Sequence, residues 1–175
     1  MKRLSLLFTL LALMFATGSV FAQFTQPQMV GEWQRAKAYT KEYLDAMPAD
    51  GYGFKPTPEI RSFAQQMLHL ANTNYFFAST GSGKSNPIGR TSLEQSVTPT
   101  KEATTKAVME SYDFVISALQ GITPEQAQQT QRFANQDFTR LGIFGKAFEH
   151  QTHHRGQTTV YLRLKGVTPP AEKLF

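Results

Sequence analysis

Apolar side chains recur every three or four residues in four long stretches of the chain, which is the spacing of amphipathic α-helices. The first stretch covers about residues 28–47 and the second about residues 58–79. The third covers about residues 101–120 and the fourth about residues 141–165. No stretch alternates over several residues as a β-strand does, although residues 133–141 allow a brief pairing. The pattern therefore predicts an all-α fold with four main helices.

Residues at the ends of these stretches support the helix boundaries. At the start of the second helix, Thr57 suits the N-cap, Pro58 the first helical position, and Glu59 the positive end of the helix dipole. Gly121 follows the third stretch and is typical of a helix end. A second Thr-Pro-Glu sequence begins at Thr123 and predicts a short additional helix.

The connection between the second and third helices, residues 81–99, is long for a compact helical domain. Its start, within residues 78–85, matches a permissive form of the phosphate-binding loop. That loop needs a strand before it, and here a predicted helix precedes it, so we interpret the match as accidental. The connection is then either a flexible linker or a mobile lid over a nearby site.

Three of the four histidines lie close together near the centre of the fourth predicted helix. Because residues four apart lie above one another on a helix, His150 and His154 are able to point their ring nitrogens at a single atom. His153 lies about 100° away from His154 around the helix and is the weaker ligand candidate. The inward stripe consists of Ile143, Ala147, His150, His154, Gln157 and Tyr161.

Burial of two neighbouring imidazoles favours a metal site over a purely structural role. A single inward histidine is usually a core residue with one hydrogen bond, and a surface cluster of histidines is a further alternative. Two buried neutral rings without partners would cost on the order of 1–3 kcal/mol each, whereas one shared cation satisfies both. We therefore predict that His150 and His154 bind a metal ion.

His69 is the remaining histidine and lies at the margin of the apolar stripe of the second predicted helix. From a neighbouring antiparallel helix it is able to supply a third imidazole, and three neutral nitrogens with open positions are typical of a catalytic metal site. The His-Glu-x-x-His pattern of zinc proteases is missing, and Glu149 is expected to point away from the pair. We expect Thr73, Gln157 and Tyr161 to orient whatever fills the open positions.

The same residues resemble the DinB family of DNA-damage-inducible-type proteins, which are related to thiol-dependent transferases of bacteria. The resemblance rests on Trp33 in the first helix, residues 54–59, residues 67–71 around His69, and the late motif of residues 150–157. It implies a four-helix bundle of the DinB type with a long connection between helices two and three. It also implies metal ligands at His69, His150 and His154, and zinc or nickel as the divalent ion. His153 and residues 155–157 match the motif as supporting residues, and Trp33 is expected to anchor the core.

The amino terminus has the three parts of a secretory signal peptide. Lys2 and Arg3 precede an apolar run from Leu4 to Phe15, and Ala22 ends a suitable cleavage site. An uncleaved membrane anchor is the alternative, but the run is short for a bilayer span. We predict a signal peptide at residues 1–22 and a DinB-like domain at residues 23–175, exported to the periplasm or outside the cell. The chain has no cysteine, which excludes disulfides and a lipoprotein anchor.

The charge of the chain argues against a nucleic-acid partner. The formal charge is +5, and removal of Lys2 and Arg3 leaves 16 basic and 13 acidic residues, or +3. There is no run of basic residues and no alternation of basic and aromatic residues, so we expect no nucleic acid and no stable membrane insertion after signal cleavage.

Two classes of function follow from the sequence. The first is a metal-dependent enzyme, a hydrolase or a thiol transferase, acting on a small molecule; export argues against the transferase because the thiols of such enzymes are chiefly cytosolic. The second is a non-catalytic metal- or ligand-binding bundle of the cell envelope. Either class is compatible with a homodimer.

Overall fold

The structure is a computed structural model that describes residues 24–175, so the predicted signal peptide at residues 1–22 lies outside the described residues. Helices dominate the described part of the chain, and one short β-hairpin precedes the last helix. In chain order the elements are α1 (Gln26–Ala46), a 3-10 turn (Ala49–Gly51), α2 (Phe63–Ser82), α3 (Leu93–Ser96), α4 (Lys101–Gln120), α5 (Pro124–Gln128), β1 (Thr130–Phe133), β2 (Gln136–Thr139) and α6 (Arg140–Leu164).

The four long helices pack around one apolar core. Helix α2 packs against α4 and α6, and α1 packs against the same two helices from the other side. Trp33 is fully buried as predicted, with ring centroids 5.6 Å from Tyr112 and 5.5 Å from Phe148. Within residues 24–175, no helix is both long enough and apolar enough to cross a bilayer. The predicted all-α class is confirmed, with the hairpin as its small exception.

The start of the second long helix differs from the prediction. Thr57 and Pro58 lie in turns, and α2 begins only after Ser62, whose hydroxyl accepts from the Gln65 backbone amide at 3.2 Å. The Gln65 side chain accepts in return from the Ser62 amide at 2.9 Å, which completes a capping box. Ile60, which lies within the predicted second helix, is therefore outside α2 and exposed.

Backbone hydrogen bonds explain why the later cap prevails over the earlier one. The Phe63 amide donates to the Phe54 carbonyl at 3.0 Å, and the Ala64 amide donates to the Tyr52 carbonyl at 2.9 Å. These two bonds turn the segment from Tyr52 to Phe63 back on itself. A helix that began at Pro58 would break this turn, so the favourable residues at positions 57–59 cap nothing.

The other boundaries agree with the sequence to within a few residues. Helix α4 has the predicted bounds and is capped by the Thr100 hydroxyl, and the short helix after Thr123 is present as α5. The expected brief pairing was placed at residues 133–141, and the observed hairpin starts earlier, at Thr130. Its turn residues Ala134 and Asn135 both have positive φ, which suits a tight two-residue turn.

Helix α2 ends within the stretch that resembles a phosphate-binding loop. Gly83 follows the helix with φ +76°, a left-handed conformation that glycine adopts without strain. Gly81 lies against the last helix, and a Cβ there would come within 2.8 Å of the Phe144 ring. A helix, not a strand, precedes the loop, which confirms that the phosphate-loop match is accidental.

The two candidate caps of α2 allow a matched test of this boundary. Ser62→Ala removes a side chain that caps a buried helix and should lower the free energy of unfolding by about 1 kcal/mol. Thr57→Ala, at the position that the sequence favoured, should leave it within about 0.5 kcal/mol of the wild type. Urea unfolding followed by circular dichroism measures both. An equal loss in the two variants would contradict the observed boundary.

Candidate metal centre

The three histidines that the sequence singled out meet between α2 and α6. His69 lies on α2, and His150 and His154 lie one turn apart on α6. The His69 ring centroid is 5.3 Å from that of His150 and 4.6 Å from that of His154, and the latter two are 4.3 Å apart. One ring nitrogen from each residue lies within 4.8 Å of the other two. That spacing allows all three nitrogens to contact one ion.

A carboxylate orients the His69 ring. Its Nδ1 lies 2.7 Å from Glu94 Oε1, and because a carboxylate only accepts, Nδ1 carries the hydrogen. The lone pair of His69 is then on Nε2, which is the tautomer needed for metal binding through that atom. Helix α3 places Glu94 there, because the Leu93 amide next to it donates to the Asn72 side chain on α2 at 3.0 Å.

The strongest indication of a bound ion comes from the two histidine rings on α6. Within residues 24–175, Nδ1 of His150 and Nδ1 of His154 are both buried and have no hydrogen-bond partner. Burial, helped by the charges of neighbouring histidines and Arg61, lowers the pKa of His150 to about 4 and that of His154 to about 3. Both rings are thus neutral near pH 7, which is the form that binds a metal.

The Glu94 side chain stays negatively charged beside the three histidines. Partial burial alone would raise its pKa, but hydrogen bonds from Arg61 and His69 outweigh that effect and lower the pKa below its ordinary value. Arg61 Nε donates to Glu94 Oε2 at 2.7 Å, so both carboxylate oxygens are engaged. Sequence reasoning missed Glu94, because a four-residue helix within a connection has no periodicity to detect, and it gave no role to Arg61, which lies just before α2.

The remaining polar residues of the motif do not face the cluster. His153 is exposed, as predicted for the weaker candidate, and its Nε2 lies 2.8 Å from the Gln157 side chain, which is exposed as well. The Tyr161 hydroxyl donates to the Arg61 carbonyl at 2.8 Å, and the Thr73 hydroxyl donates to the His69 carbonyl at 3.1 Å. In this structure the hydroxyls of Thr73 and Tyr161 bond to backbone carbonyls and the Gln157 side chain bonds to His153, so their role in orienting a bound group stays a prediction.

Aromatic rings border the cluster on the side of the hairpin. Phe77 on α2 has its ring centroid 6.3 Å from that of His150 and 5.4 Å from that of Phe133 on β1. Phe76 and Phe138 extend this group, and Phe76 is half exposed. The hairpin therefore contributes an apolar border to the site, which the sequence did not indicate.

The neighbouring face of α6, about 100° around the helix from the histidines, carries a buried polar network. The Tyr112 hydroxyl donates to Gln151 Oε1 at 2.8 Å, and the Arg155 guanidinium donates to the same oxygen at 3.1 Å. Thr40 lies 2.7 Å from the Tyr112 hydroxyl, and the Arg155 guanidinium lies 4.5 Å from the centre of the Tyr39 ring. Arg155 thus supports the helix that carries two of the histidines, in line with its expected supporting role.

In the described part of the chain, no carboxylate that contacts the three histidines is free to act as a general base. Glu94 has both oxygens engaged, as described above. Glu149 is exposed and pairs with Lys146 at 2.9 Å, so it points away from His150 as expected. The cluster offers metal ligands and an orienting carboxylate, and it lacks a free acid or base of its own.

Comparisons with known proteins agree with this architecture. A family model described as "DinB family" matches residues 14–174. The uncharacterized protein YjoA of Bacillus subtilis (strain 168) is 24% identical over 147 residues, which cover 81% of this chain and 91% of that protein.

Two solved structures share the fold. A DinB-like protein from Bacillus cereus ATCC 10987 superposes with a TM-score of 0.73 at 19% identity, covering 86% of this chain and all of that one. The DinB-like protein YjoA from Bacillus subtilis gives a TM-score of 0.67 at 21% identity, covering 85% of this chain and 96% of that one. At these identities the likeness is one of fold.

The lowered pKa values predict how the stability of the metal-free protein depends on pH. The unfolded chain takes up protons near pH 6.5, whereas folded His150 and His154 resist protonation down to about pH 4 and 3. Between these limits the unfolded state binds more protons, so the free energy of unfolding should fall as the pH falls from 6.5 to about 4. Urea unfolding with chelator present, at several pH values, measures the slope.

Two variants identify the source of that slope. His154→Gln should lower the slope by the amount that corresponds to about one proton taken up on unfolding, because the residue that titrates is gone. His153→Gln, on the exposed neighbour, should leave the slope of the wild type unchanged. Equal slopes in all three proteins would show that the buried imidazoles do not set the pH dependence.

Proposed function

This chain belongs to the DinB family, and on that premise we propose that it binds one divalent ion, zinc or nickel, through His69, His150 and His154 and uses it as a metal-dependent hydrolase. The observation that carries the proposal is the convergence of three imidazoles, two of which have buried nitrogens without a partner among residues 24–175. We further propose that the protein is exported to the periplasm or outside the cell. Its substrate is a small molecule, and it does not bind nucleic acid.

The donor set suits such an ion. Three neutral nitrogens leave coordination positions open, which is typical of catalytic rather than structural zinc sites. Bound there, a divalent ion supplies Lewis acidity that makes water or a thiol a better nucleophile near neutral pH. The protein contributes the ligands, and Glu94 holds His69 in one tautomer. The rings of Phe77 and Phe133 limit access of water from the hairpin side.

Hydrolysis fits the proposal better than thiol transfer. A hydrolase needs only water as the second reactant, which is present wherever the protein resides. A thiol transferase needs a low-molecular-weight thiol, and export would separate the protein from the cytosolic supply. The predicted signal peptide therefore argues against the transferases to which the family is related and favours the hydrolase.

A non-catalytic metal- or ligand-binding bundle of the envelope, which is free to assemble as a homodimer, is the second candidate. The observation that favours it is the state of Glu94, whose two oxygens are occupied by His69 and Arg61. A hydrolase without a free base in contact with its metal ligands must move protons through the substrate or solvent. Activity measurements decide between the two candidates.

Metal content tests the ligand set directly. The wild type should hold about one zinc or nickel ion per chain, and His69→Ala, His150→Ala and His154→Ala should each lose most of it. His153→Ala is the matched control on the same helix and should retain the metal, because its ring lies outside the cluster. Inductively coupled plasma mass spectrometry of the purified proteins gives the ratio. An equal loss in all four variants would contradict the assignment.

The orienting carboxylate can be tested separately. Glu94→Gln keeps the shape of the side chain but weakens the hydrogen bond to His69, so the metal affinity should fall by about 10–100-fold. Competition with a metal-binding dye measures that affinity. An unchanged affinity would show that Glu94 does not tune the site.

Catalysis is tested with p-nitrophenyl acetate as a simple ester. Hydrolysis above the solution rate should require zinc or nickel, disappear with chelator, and return when the metal is restored. His150→Ala should be inactive, whereas His153→Ala should keep activity within about twofold of the wild type. Metal-loaded wild type that is no faster than His150→Ala would favour the non-catalytic candidate.

A further inference from the structure

A cleft of about 830 Å³ opens between residues 55–61, which precede α2, the start of α2 and the end of α6, beside the histidine cluster. Its volume is within the range of about 300–1,000 Å³ that is typical of small-molecule sites. We call it the α2–α6 cleft. The residues that line it include Lys55, Ile60, Arg61, Gln66, Val160 and Tyr161.

The cleft begins one helical turn away from the histidines. Gln66 precedes His69 by three residues on α2, and Gln157 follows His154 by three residues on α6. Residues three apart share a helix face and lie about 4.5 Å apart along its axis. Glu94, which bonds to His69, also lines the cleft. A molecule in the cleft would therefore lie within about one helical turn of the proposed metal.

The Gln66 side chain is the most telling group in the cleft. It is only 3% exposed, yet within residues 24–175 its carboxamide makes no hydrogen bond. Within residues 24–175 its polar atoms are not among those that are fully buried without a partner, so the small exposed part of Gln66 offers a donor and an acceptor to the cleft that it lines. The amide group of a ligand is able either to donate its N–H to the Gln66 side-chain oxygen or to accept a hydrogen bond from the Gln66 side-chain nitrogen.

The charges in the cleft leave one cation available. Arg61 and Glu94 pair with each other, and a hydrogen bond to Thr57 lowers the pKa of Glu59 and keeps that exposed carboxylate charged. Lys55 has no ion pair or hydrogen bond within the described part of the chain. Lys55 is thus able to pair with one carboxylate of a ligand, whereas the negative charge of Glu59 would repel a second carboxylate.

The wall of the cleft also has an apolar portion. Val160 on α6 is 56% exposed and Ile60 is 40% exposed, although both are large aliphatic residues. Both line the cleft, next to Pro56. A branched apolar side chain of a ligand would cover them and remove their surface from water.

From these three features we propose that the α2–α6 cleft binds an N-acylated amino acid with an apolar side chain. The carboxylate pairs with Lys55, the amide bonds to Gln66, and the side chain covers Ile60 and Val160. The inference rests on the proposed function in that it names the substrate class of the same site. The amide lies between the carboxylate and the histidines, so the acyl group is the end nearest the metal.

Calorimetric titration with N-acetyl-L-leucine tests the proposal on the metal-loaded protein. N-acetyl-L-leucinamide, which lacks the charge, should bind about tenfold more weakly. N-acetylglycine should also bind more weakly, because it leaves Ile60 and Val160 uncovered. If the neutral amide binds as tightly as the acid, the proposal is wrong.

Variants locate the binding site. Lys55→Met and Gln66→Met, which preserve the approximate shape of the side chains, should each weaken N-acetyl-L-leucine binding by about five- to tenfold. Lys106→Met on the exposed face of α4 is the control for loss of one positive charge and should bind like the wild type. Wild-type affinity in Lys55→Met, or equal weakening in Lys106→Met, would overturn the assignment.

The same titrations separate this proposal from the metal proposal. Lys55 and Gln66 are not metal ligands, so their effects should persist after chelator treatment. A protein that holds no metal but still binds N-acetyl-L-leucine through Lys55 would contradict the proposed function and leave the cleft assignment intact. A protein that holds metal through the histidines but does not bind N-acetyl-L-leucine would contradict the cleft assignment and leave the proposed function intact.

Discussion

The close packing of α2 on α6 is the constraint on which the rest of the structure depends. At one end Gly81 lies against the Phe144 ring, where even a methyl group would not fit. At the other end the Tyr161 hydroxyl donates to the Arg61 carbonyl. The three imidazoles meet between these two contacts, so the spacing of the helices at both ends sets the distances within the cluster. A shift of α6 by one turn along α2 would break both end contacts and separate the rings.

The rotation of α6 about its own axis is fixed by contacts on the neighbouring face, about 100° around the helix from the histidines. Gln151 and Arg155 are buried there, and Gln151 accepts hydrogen bonds from both Arg155 and Tyr112. Burial raises the pKa of Tyr112 to about 12, so its hydroxyl remains a donor. Because a buried cation without these contacts is costly, the helix resists turning. The polar network on one face thus holds the histidines on the neighbouring face toward α2.

Much of this arrangement was predictable because it depends on spacing along one helix. The period of the apolar residues placed His150 and His154 on one inward face, which the structure shows. The start of α2 was not predictable in this way, since Thr57 and Ser62 both suit a cap and only backbone bonds between distant residues favour Ser62. Glu94 was missed for a related reason: it reaches the cluster across 25 residues of chain, and no local pattern reports such a contact.

Arg61 connects the cluster to the cleft beside it. Its side chain lines the cleft and pairs with Glu94, the carboxylate that orients His69, while its carbonyl is held by Tyr161. Because Arg61 Nε donates to the carboxylate that accepts from His69 Nδ1, the same side chain belongs both to the wall of the cleft and to the hydrogen bonds that fix the His69 ring.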